Sequence, residues 1–147
     1  MTTKQPPSVI DASGLILGRM ASLVAKRLLQ GENIVIVNAE KTVLSGKRLS
    51  KIKEAREYLE IGHPGKGPFH RRRPDRIVQR TVRGMLPRRI AKGQRALRRL
   101  RVYLGVSDEF KNAEMETLAQ ASSAKLKGPY FTLGEYAKEI GWKGMSK

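Results

Sequence analysis

Arg73, Arg76, Arg80 and Arg83 follow one another at spacings of three and four residues, so a helix through them carries all four guanidinium groups on one side. Arg88, Lys92, Arg95 and Arg99 repeat the device further along. Lys66, His70, Arg71 and Arg72 precede the first stripe, and Arg89 and Arg98 flank the second. Between Gly62 and Gly105 the chain holds 14 Lys and Arg against one acid, Asp75, which is +13 in 44 residues out of a formal +17 for the whole sequence. The planar guanidinium fork grips phosphate oxygens two at a time and stacks on bases. The chemistry on offer is therefore anion binding. A helix face of mixed charge is ordinarily plain solvated surface, but a block with almost no acid for local pairing calls for a polyanion. Nucleic acid, which gives up condensed counterions when its phosphates are neutralised, is the expected partner. Within the block only Phe69 and Tyr103 are aromatic, so recognition of phosphate position and folded shape is expected rather than a stacking platform for single strands.

No other constellation carries chemistry. His63 and His70 are the only histidines, seven apart, with Asp75 the one carboxylate nearby and no cysteine anywhere, so a zinc site lacks ligands. The missing cysteines also remove disulfides and thiol nucleophiles, as in an intracellular protein. Asp11 has no second acid or base at useful spacing and reads as a turn or cap residue. Gly14 and Gly18, after a short apolar stretch, lack the G-x-G-x-x-G pattern of a dinucleotide turn and read as turn and close-packing glycines. Ser45-Gly46-Lys47-Arg48 resembles half a phosphate-binding loop, but the upstream glycine is missing and Arg48 replaces the Ser or Thr that holds magnesium. The expectation is a protein that is not an enzyme, with no cofactor, no metal and no small-molecule substrate. Phe131 and Trp142 read as packing residues.

The elements that must position the arginines can be read from periodicity. Val9-Ile10-Asp11 is a short apolar start. Leu17, Ala21, Val24 and Leu28 mark one face of a helix over 15–30, with Gly31 just past its end. Ile34-Val35-Ile36-Val37 is a continuous β-branched run, suited to a parallel strand buried on both faces. Thr42-Val43-Leu44 and Val102-Tyr103-Leu104 are further strand candidates. A helix over 47–61 places Leu49, Ile52, Ala55 and Leu59 together, with Lys53/Glu57 and Arg56/Glu60 as i,i+4 pairs. Residues 62–74, with three glycines and three prolines, form a loop expected to be poorly ordered alone and fixed by its partner. Helices over 74–86 and 88–100 follow, separated at Pro87; Ile77, Val78, Val82 and Met85 back the first and Ile90, Leu97 and Leu100 the second. Thr132 and Glu135 have capping-box spacing before a short helix that Gly141 ends. Residues 109–127 have no clear period. Strand, helix, strand with short connections predicts an α/β fold around a mostly parallel sheet, with the basic helices and loop added to it.

At 147 residues and 39% hydrophobic content the chain suits one domain over 1–147, with 62–105 as a basic segment inside it. Residues 1–8 are polar and proline-containing with no apolar signal core, and no apolar run approaches the ~20 residues of a membrane span.

Val9-Ile10-Asp11-Ala12-Ser13-Gly14, Leu17-Gly18-Arg19-Met20-Ala21-Ser22 and Val35-Ile36-Val37-Asn38-Ala39-Glu40-Lys41 resemble the universal large-subunit ribosomal protein L-thirteen family. Gly67-Pro68-Phe69-His70-Arg71-Arg72-Arg73-Pro74 and Val82-Arg83-Gly84-Met85-Leu86-Pro87 strengthen the likeness, which covers about residues 8–142. The Gly-Pro-Phe-His loop and the short length point to the archaeal and eukaryotic branch, and within it to archaea. The resemblance implies a three-layer α/β/α fold with helices on both faces of the sheet. It also implies a structural component of the large subunit in the cytoplasm, with large-subunit rRNA and neighbouring large-subunit proteins as partners and a part in early assembly. Matched to the family's RNA-contacting region are Lys66, His70, Arg71, Arg72, Arg73, Arg76, Arg80, Arg83, Arg88, Arg89 and Lys92. Arg95, Arg98 and Arg99 rest on helical position, and Arg19 and Lys47 are further contacts from the N-terminal half. Two alternatives stay open on the residues alone: a DNA-binding protein, from the two basic helices around Pro87, and a nucleotide-using enzyme, from the Gly14/Gly18 turn and Gly46-Lys47.

Overall fold

The computed structural model describes residues 5–144. Along it run β1 (Ser8–Asp11), α1 (Leu17–Leu29), β2 (Ile34–Val37), β3 (Val43–Ser45), α2 (Arg48–Glu60), α3 (Pro74–Gly84), α4 (Ala91–Arg98), β4 (Leu100–Val102), β5 (Met115–Glu116), β6 (Tyr130–Thr132) and α5 (Leu133–Glu139). β1, β2, β4 and β5 form one sheet in the order β4-β2-β1-β5, every pair parallel. Ser8 lies opposite Ile34 and Asp11 opposite Val37; Ile34 in turn faces Leu100, and Val9 faces Met115.

All four residues of β2 are buried, as a β-branched run in a parallel sheet should be. Alternation along the strands splits the core into two. Ile10, Ile34 and Ile36 point to one face, where α1 contributes Met20, Ala21, Val24 and Leu28, α3 contributes Val78 and Val82, and α4 contributes Ala96. Val9, Val35 and Val37 point to the other, covered by Tyr103, Val106, Phe110 and Ala113 on the chain between β4 and β5, which includes a 3₁₀ turn at Asp108–Phe110, and by Met115 of β5 itself. The result is a three-layer α/β/α fold with a heavy and a light outer layer. Each fully buried aliphatic side chain in it is worth about 1.5–3 kcal/mol of transfer free energy, which makes the α1–sheet–α3 sandwich the anchor for everything basic.

Several expectations change in detail. Val43–Ser45 is a strand, but it pairs antiparallel with β6 in a separate two-stranded sheet. β5, in the segment without period, is two residues long; a strand that short has no alternation to read and is specified by its parallel partner β1. In α2 the expected i,i+4 pairs are replaced. Arg48 and Arg56 both reach Glu139 of α5, at 3.0 Å each, and Lys51 pairs with Glu54 at 3.8 Å. Only Ile52 and Ala55 of α2 are buried and Leu49 is 81% exposed, so the helix touches the body along a narrow strip. Met85 and Ile90 are likewise exposed rather than docked. α4 starts only at Ala91, so its inner side is Gly93, Ala96, Leu97 and the following Leu100, spaced i, i+3, i+4, i+7. The capping residue of α5 is as expected, with Thr132 Oγ1 accepting from the Glu135 N–H at 3.3 Å. Among the described residues no helix is long and apolar enough to cross a membrane.

Candidate nucleic-acid interface

α3 begins with Pro74 in its first turn, where the absent N–H costs nothing, and Asp75 follows where an acid suits the helix dipole. Pro74, Val78 and Val82 recur every four residues and are buried, fixing the rotation of the helix on α1. That rotation turns Arg76, Arg80 and Arg83 outward, all exposed. After Leu86, buried at 5%, the chain reverses: the Arg88 N–H donates to Leu86 O at 2.8 Å and Ile90 N–H to Pro87 O at 3.2 Å. α4 then crosses back over Pro87 at Gly93. A Cβ on Gly93 would fall on the Pro87 carbonyl, with the carbonyl carbon at 2.5 Å. Gln94 Nε2 donates to Arg88 O at 3.3 Å and ties the reversal to the helix.

The loop before α3 is closed on itself rather than open chain. His63 N–H donates to Gly67 O at 3.0 Å and Gly67 N–H donates back to His63 O at 2.9 Å. Gly62 and Gly67 have φ of +119° and +86°, which only glycine adopts without strain. A Cβ at Gly62 would lie 2.8 Å from Gly67 O and 2.5 Å from Pro68 Cδ. Phe69 leaves this turn 78% exposed, while the His70 ring tucks against Tyr58 of α2 with centroids 4.1 Å apart. His70 Nδ1 sits 3.5 Å from Arg80 Nη1.

Loop, α2, α3 and α4 together wall a groove of about 820 Å³. Arg71, Arg76, Arg80, Arg83, Arg88 and Arg98 line it beside Tyr58, Phe69 and His70, and no acidic side chain does so among the described residues. The arginines with structural duties are elsewhere. Arg27 is clamped by Glu32 at 2.8 Å and Glu116 at 2.9 Å; the Glu32 hydrogen bond is the main cause that raises its pKa against the effect of burial. Seven of the expected residues, His70 included, thus converge on one concavity.

The other seven do not line it. Lys66 projects from the closed turn, and Arg89, Lys92 and Arg95 are exposed outside the groove. Arg73 bridges to Asp75 at 3.3 Å, and Arg72 lies against Gly141 after α5. Arg99 differs most from the helical-wheel stripe. It follows α4, is partly buried, and donates from Nη2 to Leu28 O at 2.6 Å, placing a cation at the C-terminal end of α1. Arg19 and Lys47 are exposed. Tyr58 was missed because it stands outside the basic block; its only signal is its place three residues after Ala55, at the edge of the buried strip of α2.

The glycine turn after β1 also has a clear use. In open α/β sheets ligands sit beyond the carboxyl ends of the strands where the strand order reverses, here between β1 and β5. The chain fills that place itself. Ile16 N–H donates to Ala121 O at 2.7 Å, Ser123 N–H to Gly14 O at 2.9 Å, and Ala121 is fully buried. Gly18 has no atom within 4 Å of its notional Cβ, so the close packing expected there does not exist. Asp11 is a turn residue, accepting from Ser13 N–H and Asn38 Nδ2, both at 3.0 Å. Burial alone would raise its pKa, but these hydrogen bonds and the nearby Lys41 outweigh that and hold it below the ordinary carboxylate value.

The fold and groove define a class: an α/β protein that presents a concave arginine surface, with no catalytic grouping behind it among the described residues. Sequence comparison agrees. The family model Ribosomal protein L13 matches residues 6–109. Large ribosomal subunit protein uL13 of Methanosarcina barkeri is 52% identical over 138 residues, 92% of this chain and 99% of the relative. Its counterparts from Archaeoglobus fulgidus and Methanopyrus kandleri are 46% and 45% identical, covering 94% and 92% of this chain and 90% and 87% of their own lengths. The chain belongs to the ribosomal protein L13 family, on its archaeal and eukaryotic side, and is not an enzyme.

Proposed function

We propose that this protein is built into the large ribosomal subunit in the cytoplasm, as a single domain that holds large-subunit rRNA in the groove between α3, α4 and the 62–73 loop. The observation that carries the reading is the convergence of six guanidinium groups in one concavity without an acid. Such a surface has little reason to exist unless phosphates neutralise it. Arg71, Arg76, Arg80, Arg83, Arg88 and Arg98 take the central phosphates, with His70 as a lining group. Lys66, Arg72, Arg73, Arg89, Lys92 and Arg95 extend the contact along its rim, and Arg99 acts through the end of α1. Neighbouring large-subunit proteins complete the surroundings. Recognition by phosphate position and local shape needs no distant RNA segment to be in place, which suits engagement early in subunit assembly.

If the groove neutralises about 6 phosphates, log K for RNA falls against log salt with a slope of about −4 to −5; with Arg89 and Lys92 included, about 8 contacts give −6 to −7. Reversal of Arg76, Arg80 and Arg83 to Glu abolishes binding while leaving the thermal transition in place, because all three are exposed opposite the buried Val78 and Val82. Full affinity in that variant sinks the proposal. Sedimentation of a tagged copy with the large subunit through a wash at about 0.5 M salt, where long-range attraction is screened, tests the ribosomal location.

A further inference from the structure

We infer that the groove takes an unpaired nucleotide, extruded from the RNA, with its base against the ring of Phe69 and its flanking phosphates on the arginines of α3. The inference rests on the RNA-binding reading above and goes further by naming the kind of RNA feature held. Phe69 is the starting point. A phosphate-binding surface needs no phenyl ring, yet this one is 78% exposed and lines the same concavity as Arg76, Arg80 and Arg83. Its position is built rather than incidental. The ring lies so close over Gly67 that a Cβ there would sit 3.2 Å from Phe69 Cδ2, and Gly67 is locked to His63 by two backbone hydrogen bonds. The adjacent His70 ring is held by Tyr58, so the wall beside Phe69 is aromatic and the floor cationic. A volume of about 820 Å³ leaves room for a nucleotide with its neighbouring phosphates.

The duplex is the poorer occupant. A-form RNA hides its base edges in a deep, narrow major groove and offers no base face, whereas bulges and loops splay bases out for stacking. An already unpaired base also escapes the few kcal/mol needed to extrude a paired one. Stacking on an aromatic ring is sequence-tolerant, so the groove selects an unpaired position rather than a particular base.

The test uses the full chain and two hairpin RNAs that differ only in one bulged adenosine, with affinity and its salt slope measured for both. Wild type is expected to prefer the bulged hairpin by roughly 5- to 100-fold, the range that a single aromatic stack confers. Phe69→Ala is expected to erase that preference while keeping the affinity and slope for the perfect hairpin, and Phe69→Trp to restore it. Equal affinity of wild type for both RNAs, with a steep slope, overturns the inference and leaves the phosphate reading standing. A preference that survives Phe69→Ala overturns it too. Failure to bind either RNA overturns both.

Discussion

Alanine at Gly93 and alanine at Gly18 should move stability in opposite directions, although both glycines lie inside helices. Intrinsic propensity favours Ala over Gly by about 0.8–1 kcal/mol at a helix interior. At Gly18, the second residue of α1, nothing lies within 4 Å of the new methyl group and the residue is exposed, so part of that gain is realised with nothing to oppose it. At Gly93 in α4 the methyl group would be driven into the Pro87 carbonyl, 2.5 Å from its carbon and 3.1 Å from the proline Cγ. Backbone cannot rotate out of the way as a side chain does. Overpacking of this kind costs about 1–3 kcal/mol, and a clash with backbone sits at the upper end, which leaves a net loss of about 2 kcal/mol after the propensity gain. At about 3–4 °C per kcal/mol for a chain of this size, Gly18→Ala should raise the melting temperature by at most about 3–4 °C and Gly93→Ala should lower it by about 6–8 °C. Thermal unfolding followed by circular dichroism separates the two. Because Gly93 sets the distance between α4 and the Arg88 turn, RNA affinity should fall with Gly93→Ala and stay unchanged with Gly18→Ala. A Gly93→Ala protein as stable as the Gly18→Ala one would refute the close crossing of α4 over Pro87.

Asp11→Ala should cost about 1–3 kcal/mol in chemical denaturation, since it leaves the buried Asn38 amide without its acceptor. The folded pKa of Asp11 lies below its unfolded value, so its contribution is fully present above the unfolded pKa near 3.8 and is lost as pH falls through the folded one. The stability gap between wild type and Asp11→Ala should therefore be constant near neutrality and narrow only in strong acid; a gap that closes above pH 5 would contradict the Asn38 contact. Glu139→Gln removes the shared partner of Arg48 and Arg56, but both arginines are about half exposed or more, so the expected loss is below about 1 kcal/mol per pair and shrinks with added salt. A salt-independent loss of several kcal/mol would show that the Glu139 contacts are far drier than they look.

Elements with a long period or a distinctive composition were legible in the sequence: α1 and the buried Val78 and Val82 of α3 follow from spacing, and β2 from its unbroken β-branched run. What failed had no period or had a competitor. β5 is two residues specified by a neighbour remote in the chain. Of the expected α2 pairs, Arg56 is drawn from Glu60 to Glu139, 83 residues away. On α4 Leu97 and Leu100 do face inward, but Ile90 is exposed and its place on the inner side is taken by Gly93, whose smallness is what allows the helix to approach. At the site, charge density located the groove's arginines, since charge needs no structure to be counted. Which of them converge depends on the reversal at Pro87, and Tyr58 arrives from outside the block altogether. Arg99 shows the limit of wheel reasoning: one residue past the helix end, it turns inward to the carbonyl of Leu28.

The chain occupies its own strand-end crevice with the segment around Ala121, and this limits how the protein can be controlled. In open α/β sheets that crevice is the usual seat of a small ligand. Here the segment joins Gly14 and Ile16 through backbone bonds, so a competitor would first have to break the fold. On the RNA-binding reading proposed above, stability instead follows macromolecular supply: how much RNA is present, and how many copies of the chain compete for it. Occupancy then adds stability by mass action, about 2.7 kcal/mol when the free partner is a hundredfold above its dissociation constant. Surplus copies, left with six mutually repelling arginines in one hollow, are the ones a quality-control protease would find open first.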